Sequence, residues 1–319
     1  ESVEVAQNKY RMREILAAAG LPSPRFELLD TGADPLDVAP RMNFPCVLKP
    51  VFLAASRGVI RVDDEAGFVA AFVRIQAILD EPDTRDQGGE WAGKILVESF
   101  IPGFEVALEG LLEQGTLRVL ALFDKPDPLD GPYFEETIYL TPSRLPPETQ
   151  EIIVTSAART AQAIGLRDGP VHAELRVNGD GAWIVEIAAR SIGGLCADTL
   201  QFSAGISLED LILRHALGAD ISAFERERRP AGVMMIPIPK RGILREVRGK
   251  AGAEHLAGVE EIDITIPLGQ EVVPLPEGTR YLGFIFARDD TMDAVEVALR
   301  EAHHRLEFVI DAGGPEPVA

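Results

Sequence analysis

The sequence predicts an α+β protein in two parts: residues 1–218 form the larger part and residues 219–319 a small C-terminal α+β module. Two patterns in the larger part support this class. Residues 171–177 alternate between apolar and polar side chains, as in a half-buried strand, and residues 64–79 repeat apolar side chains at helical spacing. The C-terminal module combines short β runs, broken by glycine and proline, with a capped amphipathic helix over residues 292–308.

The composition narrows the classes of partner. The chain has 319 residues, 46% of them hydrophobic, and a formal net charge of −20. Nucleic-acid backbones and anionic membranes both attract basic surfaces, so neither is an expected partner. The 2 cysteines form no CxxC motif, and no apolar run reaches the roughly 18–20 residues that cross a bilayer. Because the start of the chain shows no signal-peptide pattern, the sequence favours a reducing, cytoplasmic location.

The first predicted helix covers residues 8–19 and ends at Gly20. Lys9 lies in its first turn, where a solvated lysine is the simplest interpretation. Residues 44–51, FPCVLKPV, then predict a strand whose apolar run is interrupted by Lys49. A buried lysine is costly unless its ammonium group reaches an anion or water. Lys49 is therefore a candidate ligand for an anion.

The loop after this strand, AASRGV over residues 54–59, joins small residues to Ser56, Arg57 and Gly58. Small residues let backbone N–H groups approach an anion, and an arginine can donate two hydrogen bonds to a phosphate. The segment is neither a Walker A loop nor a GxGxxG loop. It indicates a hairpin that grips phosphate, with an ordinary tight turn as the alternative.

Two acids flank a turn after the next predicted strand. Residues 80–93 are polar and glycine-rich and predict a mobile loop, and residues 94–98 predict the strand. The segment VESFIPGFE then places Glu98 and Glu105 on either side of a Phe-Ile-Pro-Gly turn. This arrangement suits a nucleoside, because one acid or the adjacent backbone can meet the base's amine and the other acid the ribose hydroxyls. The alternative is a polar strand end with Glu105 facing solvent.

Residues 117–123 predict another strand, and residues 124–146 predict an irregular segment because of their proline and glycine content. This segment carries Phe134 and Glu135. An ordered loop with aromatic side chains usually shapes a ligand pocket, so these residues are candidates for selecting the substrate. A helix predicted over residues 147–166 leads into the next hairpin.

The hairpin over residues 171–188 carries one acid on each strand. A three-residue loop over residues 179–181 places Glu174 directly opposite Glu186. Opposed side chains share a face, with their Cβ atoms roughly 5 Å apart. Two carboxylates so placed repel each other unless a cation lies between them or one is protonated. The sequence therefore predicts a metal site here, with a surface hairpin that carries two solvated glutamates as the alternative.

Each of these patterns is weak alone, but their order is specific: Lys9, FPCVLKP, AASRGV, VESFIPGFE, VHAELRV and EIAARSIGG. In this order they resemble the ATP-grasp superfamily of carboxylate–amine ligases, and most of all its dipeptide-forming amino-acid ligases. The resemblance covers roughly residues 1–218 and extends to the C-terminal module. It implies an ATP-grasp fold, in which two α+β subdomains grip ATP and residues 44–100 form the lid.

The resemblance also implies a role for each candidate residue. ATP would be bound by Lys9 and Lys49 at the phosphates, by Ser56, Arg57 and Gly58 in the lid loop, by Glu98 and the backbone through Ile101 at adenine, and by Glu105 at ribose. Glu174 and Glu186 would hold Mg²⁺, with Mn²⁺ as an alternative metal. Arg190 would act with Lys49 in catalysis by steadying the transferred phosphoryl group. The substrates would contact Phe134, Glu135, His172, Gly193 and Gly194.

Two features depart from the family pattern. Ala188 stands where many members carry an asparagine as a third metal ligand. Members also carry an N-terminal α/β domain, and because this sequence begins at about the first helix of the grasp, we expect that domain to be absent from it.

The implied reaction has two steps. A substrate carboxylate attacks the γ-phosphate of ATP to give an acyl phosphate and ADP, and an amine then attacks the acyl phosphate. The expected partners are thus a small-molecule carboxylate and amine, together with a second copy of the chain in a homodimer. The alternatives are a biotin-carboxylase-like enzyme, disfavoured because SIGGLCAD replaces a QVEH-type motif, a purine-pathway ligase, and a non-catalytic nucleotide-binding module.

Overall fold

The computed structural model describes residues 2–311, so residues 312–319 of the predicted C-terminal module lie outside the described part. The helices are α1 (Ser2–Gln7), α2 (Lys9–Ala18), α3 (Pro35–Val38), α4 (Glu65–Leu79), α5 (Pro82–Gly88), α6 (Pro147–Ala163), α7 (Leu208–Ala216), α8 (Lys250–Glu254) and α9 (Met292–Arg305). The strands are β1 (Phe26–Asp30), β2 (Cys46–Pro50), β3 (Ile60–Val62), β4 (Lys94–Ser99), β5 (Phe104–Glu113), β6 (Thr116–Asp124), β7 (Ile138–Thr141), β8 (Gly169–Asn178), β9 (Gly181–Ala188), β10 (Ala231–Ile236), β11 (Gly242–Arg248), β12 (Val259–Ile264), β13 (Glu271–Val272), β14 (Gly283–Arg288) and β15 (Glu307–Asp311). The elements confirm the predicted α+β class.

The lid is a four-stranded antiparallel sheet in the order β1–β4–β2–β3, with helix α4 packed on it. Phe68, Phe72 and Ile75 of the predicted apolar stripe are fully buried in this core. Strand β1 lies before the predicted lid range of residues 44–100 and forms one edge of the sheet. Helix α5 replaces part of the predicted mobile loop, because Pro82 at its first position suits a helix start even without an apolar stripe.

An eight-stranded sheet forms the body of the protein, in the order β12–β14–β10–β7–β6–β5–β8–β9, and its neighbouring strands are antiparallel. Strands β10, β12 and β14 belong to the predicted C-terminal module, so this sheet runs across the predicted boundary at residue 218. Strands β13, β11 and β15 form a separate three-stranded sheet. Helices α1, α2 and α6 pack on one face of the β5–β8–β9 end.

Strand β7 lies inside the segment that the sequence predicts to be irregular. Its 4 residues are all buried, and they pair with β10 and, through Leu140 opposite Asp124, with β6. The prolines and glycine that suggest an irregular chain flank this strand without interrupting it. The prediction was wrong here because a strand this short needs only a few consecutive residues free of proline.

The β8–β9 hairpin pairs Glu174 with Glu186, as predicted, but by a different route. Its loop has two residues rather than three, because Asn178 pairs with Gly181. That register alone would place Glu174 opposite Val185. A β-bulge adds one residue to β9 at this point and restores the pair of acids.

The bulge also decides which face of β9 carries Glu186. Ile184 before the bulge and Ile187 after it both pack in the core beneath the sheet. In an unbroken strand, alternate residues share a face, so Glu186 would join Ile184 in that core. The extra residue instead turns Glu186 to the opposite face, where its carboxylate lies 3.2 Å from the Lys9 ammonium.

Within residues 2–311, no helix is long and apolar enough to cross a membrane. Cys46 and Cys196 are both buried and free. Burial raises the pKa of Cys46 to about 12, so this side chain is a neutral thiol that packs in the lid.

Candidate active site

A cleft lies between the lid and the face of the large sheet that is opposite helices α1, α2 and α6. Its lining includes most of the residues that the sequence singles out: Lys9, Lys49, Ser56, Glu98, Ile101, Glu105, Phe134, His172, Glu174, Glu186, Arg190, Gly193 and Gly194. Strands of both sheets and the first turn of α2 contribute to it. The fold thus brings together residues that are up to 185 positions apart, from Lys9 to Gly194.

The first charged group in the cleft, here called the lid cluster, consists of Arg13, Lys49 and Glu98. The Lys49 ammonium donates to one oxygen of Glu98 at 2.7 Å, and Arg13 donates to both oxygens at 2.6 and 3.3 Å. Burial alone would raise the pKa of Glu98, but Arg13 and Lys49 outweigh it and hold that pKa at about 2. Two cations around one carboxylate leave the lid cluster with one excess positive charge.

These contacts bear on the role implied for Glu98. Strands β2 and β4 pair Val47 with Glu98, so Lys49 is a diagonal neighbour of Glu98 and reaches its carboxylate. Both oxygens thus accept hydrogen bonds from buried cations. The Ile101 carbonyl, likewise implied to face adenine, accepts a hydrogen bond from Arg176 at 2.8 Å.

Lys9 joins the first helix to both sides of the cleft. Its ammonium donates to the Leu53 carbonyl at 2.5 Å, just before the small-residue loop, and lies 3.2 Å from Glu186 on β9. Its side chain is only 11% exposed. Lys9 is thus a cleft residue, whereas its sequence position alone suggests a solvated lysine.

A second charged group, here called the sheet cluster, consists of Lys125, Glu105, Glu136 and Glu174. The Lys125 ammonium lies 2.7 Å from Glu105 and 3.2 Å from Glu174, and it also contacts Glu136. The same ammonium is 4.8 Å from the centre of the Tyr139 ring. Three carboxyl groups around one ammonium give this cluster an excess of negative charge when all are ionised.

The close spacing of these charged groups shifts their pKa values in different directions. Burial and then the neighbouring Glu174 raise the pKa of Glu136 to about 7. Burial also opposes the charge on Glu174, but Lys125 and His172 outweigh it and hold the pKa of Glu174 well below its usual range. The carboxylates in turn outweigh burial and raise the pKa of Lys125. Near neutral pH the cluster therefore keeps a charged lysine and a charged Glu174, while Glu136 takes up protons first.

His172 connects the sheet cluster to the loop after β9. Its Nδ1 contacts one oxygen of Glu109, and the other oxygen accepts a hydrogen bond from the Ile192 N–H at 3.1 Å. Its Nε2 lies 3.4 Å from Glu174. Burial opposes the imidazolium, but Glu109 and then Glu174 outweigh it and raise the pKa of His172 to about 10. The charged imidazolium thus orients Glu174, and Glu109 ties it to the loop that carries Arg190.

Two sets of carboxylates offer oxygen ligands to a divalent cation. Oxygens of Glu105, Glu136 and Glu174 lie within 4.8 Å of one another, but the Lys125 ammonium is placed among them. Glu186 faces the cleft and is paired with Glu174 across the two strands. Two carboxylates suit Mg²⁺, which keeps several bound waters and so tolerates the lack of a ligand at Ala188. Cationic side chains also lie beside the Glu174–Glu186 pair, because Lys125 and His172 contact Glu174 and Lys9 lies 3.2 Å from Glu186. The oxygen ligands of this pair fit the chemistry of Mg²⁺.

Three residues implied by the resemblance lie away from the cleft lining. Arg57 donates instead to the Glu277 carbonyl at 3.0 Å and to the Glu81 carboxylate at 2.5 Å. The Gly58 N–H donates to the Pro276 carbonyl at 2.8 Å, so it is not available to a phosphate. Both are drawn to residues 276–277 of the C-terminal module. Glu135 is also absent from the lining, although its neighbours Phe134 and Glu136 belong to it.

The sequence patterns do not identify four residues of the site. Arg13 and Glu136 line the cleft, and Glu109 and Lys125 contact residues that line it. Lys125 follows the apolar strand β6 much as Lys49 interrupts β2, and this similarity is a signal that could have identified it. Glu109 shares a strand face with Glu105, four residues earlier. Arg13 resembles any surface arginine of a helix, because its partners are 85 or more positions away.

Comparison with known proteins identifies families for both parts of the chain. Residues 42–199 match the ATP-grasp domain, and residues 234–311 match the L-amino acid ligase C-terminal domain 2. The two matches lie on either side of the predicted boundary at residue 218.

Three known proteins illustrate the similarity. The crystal structure of an L-amino acid ligase from Bacillus licheniformis superimposes with a TM-score of 0.82 at 31% identity, covering 97% of this chain and 74% of that one. A D-alanine–D-alanine ligase of Desulforudis audaxviator (strain MP104C) is 33% identical over 222 residues, which are 65% of this chain and 67% of the relative. An alanine–anticapsin ligase of Bacillus subtilis is 25% identical over 240 residues, 71% of this chain and 49% of the relative. Among the first curated relatives, the chain spans 49% to 62% of their length.

Proposed function

The chain belongs to the ATP-grasp family of carboxylate–amine ligases, and from that premise we propose that it is an ATP- and Mg²⁺-dependent ligase that joins amino acids and forms ADP. One observation carries this proposal: the two charged clusters of the cleft have opposite excess charge. The lid cluster is suited to the polyphosphate of ATP, and the sheet cluster to cations such as Mg²⁺ and the ammonium group of an amino acid.

Lys9 and Lys49 are proposed to bind the phosphates of ATP. An ammonium group has three donors, so the bond from Lys49 to Glu98 and the bond from Lys9 to the Leu53 carbonyl leave donors for phosphate oxygens. Ser56 in the small-residue loop lines the same region. Glu105 is proposed to accept hydrogen bonds from the ribose hydroxyls, and its carboxylate lies 2.7 Å from the Lys125 ammonium and 3.4 Å from the Arg176 guanidinium.

Glu174 and Glu186 are proposed to hold the metal, which supplies positive charge that stabilises the phosphoryl group as its bond to ADP breaks. His172 contributes by keeping Glu174 ionised and oriented. Lys125 contributes in the same way from the other side of Glu174.

In the proposed reaction, a carboxylate oxygen of the first amino acid attacks the γ-phosphorus and the bond to ADP breaks, which gives an acyl phosphate. Arg190 lines the cleft and donates to the Ser191 carbonyl at 2.7 Å, and its guanidinium is proposed to steady the phosphoryl group. The amine of the second amino acid then attacks the acyl carbon, phosphate leaves and the amine loses a proton. The closed lid excludes the water that would hydrolyse the acyl phosphate.

The substrate end of the cleft is proposed to lie near Phe134, His172 and the Gly193–Gly194 pair. Met235 and Tyr281 add an apolar boundary there. The relatives named above join amino acids or close analogues according to their names, which supports amino acids as the substrate class here.

Three coarser proposals complete this function. Residues 1–218, including a lid of about residues 44–100, are proposed to form the nucleotide-binding unit, and residues 219–319 a module that supports the closed lid. A homodimer and a cytoplasmic location are proposed from the sequence patterns and the resemblance. Analytical ultracentrifugation and cell fractionation test these two proposals directly.

The central test measures ADP and phosphate release by the full-length protein with ATP, Mg²⁺ and pairs from a panel of amino acids. We expect release that depends on both a carboxylate and an amine, with one ADP per dipeptide detected by mass spectrometry. Hydroxylamine in place of the amine should yield a hydroxamate, because it traps an acyl phosphate. Turnover that depends on bicarbonate would instead favour a biotin-carboxylase-like enzyme. Absence of turnover with the whole panel would favour a non-catalytic nucleotide-binding module.

A further inference from the structure

We propose that Arg13 is a positioning residue: it fixes the β-bulge at Val185 and so holds Glu186 in the cleft. This inference rests on the proposed function, because it gives Arg13 a role in the placement of a metal ligand. The Arg13 side chain is fully buried, and it contacts Glu98 on β4 and the backbone of β9.

The direction of two carbonyl groups is the first argument. Arg13 Nη1 donates to the Ile184 carbonyl at 2.7 Å, and Nη2 donates to the Val185 carbonyl at 3.0 Å. Consecutive carbonyls of a regular strand point to opposite edges, so one guanidinium cannot reach both. Both are within reach here because Val185 is the extra residue of the bulge, between the Leu175–Ile184 and Glu174–Glu186 pairs of the ladder. The two contacts therefore recognise the bulged form of β9 and not the regular one.

The position of β9 in the sheet is the second argument. It is the last strand in the order of the eight-stranded sheet, so no further strand among the described residues supplies donors to its outer edge. A bulge in such a strand leaves buried carbonyls without ladder partners, which is costly. Arg13 provides both missing donors from one side chain.

The consequence for Glu186 follows from the register. Without the bulge, Glu186 would turn toward the apolar core that holds Ile184 and Ile187. With it, Glu186 pairs with Glu174 and faces Lys9. A contact that favours the bulged form is thus a contact that favours the metal-binding arrangement.

The same guanidinium also holds Glu98 of the lid cluster through two contacts at 2.6 and 3.3 Å. Arg13 therefore ties the phosphate-binding Lys49, through Glu98, to the strand that carries Glu186. A lysine at position 13 would keep the positive charge beside Glu98, but its single ammonium lacks the planar fork that meets a carboxylate and two carbonyls together. Arginine and lysine should therefore differ here in metal binding more than in folding.

The test compares Arg13→Lys and Arg13→Met with Arg11→Met as the matched control. Arg11 lies on the same helix, but its side chain is 46% exposed and stacks on Trp91 outside the cleft. Mn²⁺ affinity is measured by electron paramagnetic resonance in the presence of a non-hydrolysable ATP analogue. Hydrogen exchange of the peptide over residues 181–188 is measured in parallel without metal or nucleotide.

We expect Arg13→Lys to fold and to bind the ATP analogue within about twofold of the wild type, while its Mn²⁺ affinity falls about tenfold, a common effect of removing a partner that orients a ligand. Exchange in residues 181–188 should rise in the same variant. Arg13→Met should show both changes more strongly, and Arg11→Met neither.

The outcomes separate this inference from the proposed function. If the wild type binds no Mn²⁺ with the ATP analogue, the proposed metal site is wrong, and hydrogen exchange alone then decides whether Arg13 fixes the bulge. If the wild type binds Mn²⁺ and folded Arg13→Lys binds it equally well with unchanged exchange, the inference is wrong. Loss of ATP and Mn²⁺ affinity by the same factor would also overturn it, because Arg13 would then act through Glu98 and Lys49 alone.

Discussion

The lid cluster and the sheet cluster face each other across one cleft, and each contains a buried lysine paired with glutamate. They differ in the ratio of cationic to carboxyl groups. In the lid cluster, Lys49 and Arg13 share one carboxylate, whereas in the sheet cluster Lys125 serves three carboxyl groups. The difference appears in the carboxyl groups themselves, since the pKa of Glu98 is held at about 2 and that of Glu136 is raised to about 7.

This contrast supports the proposal that a protein with a net charge of −20 binds a polyanion. Excess positive charge is confined to one wall of a cleft, where low-dielectric surroundings strengthen it. The opposite wall keeps more carboxylate than its lysine can balance, so it attracts cations. Under the proposed function, the phosphates of the nucleotide would face the lid cluster, and the metal and the ammonium group of an amino acid would face the sheet cluster.

The largest effect should come from removing the lysine of the sheet cluster. Lys125→Met removes a buried ammonium from three carboxyl groups, of which Glu105 is buried and Glu136 and Glu174 are partly buried. Breaking an ion pair of this kind costs about 5 kcal/mol in the free energy of unfolding. Urea denaturation measures this loss. The three carboxylates have oxygens within 4.8 Å of one another, so Mn²⁺ should raise the melting temperature of the variant more than that of the wild type.

Lys250→Met is the control for this variant, because Lys250 forms an exposed helical pair with Glu254 at 3.3 Å. It should change stability by less than about 1 kcal/mol. A Lys125→Met protein as stable as this control would show that the ammonium does not balance the sheet cluster.

The next largest effect is expected from replacing Glu186, the proposed metal ligand on β9. Glu186→Gln keeps the shape of the side chain but removes the charge of a proposed metal ligand, so kcat/KM should fall about 1,000-fold, equivalent to about 4 kcal/mol of transition-state stabilisation. Stability should change little, because the Glu186 side chain is 23% exposed and Lys9 is its ion partner among residues 2–311. Steady-state ADP release and urea denaturation measure the two quantities, and an active Glu186→Gln enzyme would contradict the metal site.

The sequence predicts most of the individual helices and strands but few of the contacts between them. The apolar stripe of α4 and the alternation in β8 are local patterns, and both predict their elements correctly. The Glu174–Glu186 pair is also correct, although two errors cancel in it: the loop is one residue shorter than predicted and the bulge adds one residue back. A bulge has no sequence signal of its own here, because it depends on donors from Arg13 in a distant helix.

The composition of the site is harder to predict for the same reason. Lys49 is identifiable because a lysine stands out in an apolar strand. Its contact with Glu98 is not, because the sequence does not reveal which carboxylate lies diagonally across two strands. The contacts of Arg57 with Glu81 and Glu277 are likewise not apparent from the sequence. Contacts between the lid and the C-terminal module require the assembled fold.

A smaller effect concerns the pH dependence of the lid cluster. Glu98 has a pKa of about 2 in the fold against an ordinary value of 4.5, so its ionised form stabilises the protein above about pH 4.5, and this contribution disappears as the pH falls toward 2. The shift corresponds to about 3 kcal/mol. Glu98→Gln should therefore be less stable than the wild type by roughly this amount at neutral pH, and the two stability curves should converge toward pH 2.

Urea denaturation between pH 2 and 7 measures these curves, and the difference between the two proteins removes the contribution of other carboxylates. Glu27→Gln is the control, because Glu27 lies in the same sheet but pairs with Arg41 at the surface. A constant difference between wild type and Glu98→Gln across this range would show that Glu98 is not held ionised by the lid cluster.

The position of the lid cluster opposite the sheet cluster also depends on a contact that holds the lid in place. Arg74 on helix α4 of the lid donates to both oxygens of Glu277 at 2.5 and 3.0 Å, and it also contacts the Tyr133 hydroxyl. Nearby, the Gly58 N–H and Arg57 donate to the carbonyls of Pro276 and Glu277. The C-terminal module thus holds the lid cluster opposite the sheet cluster.

The smallest expected effect comes from weakening this contact. A bidentate ion pair at a partly exposed position contributes about 1 kcal/mol, so Arg74→Met should raise the KM for ATP about fivefold while kcat stays within about twofold. Glu277→Gln should do the same, and the double variant should be no worse than either alone, because both remove one interaction. Arg85→Met, which removes the exposed pair with Asp80 on the same lid, is the control. Additive effects of Arg74→Met and Glu277→Gln would mean that the two residues act separately, and the lid would then be held against the sheet cluster by its backbone contacts to Pro276 instead.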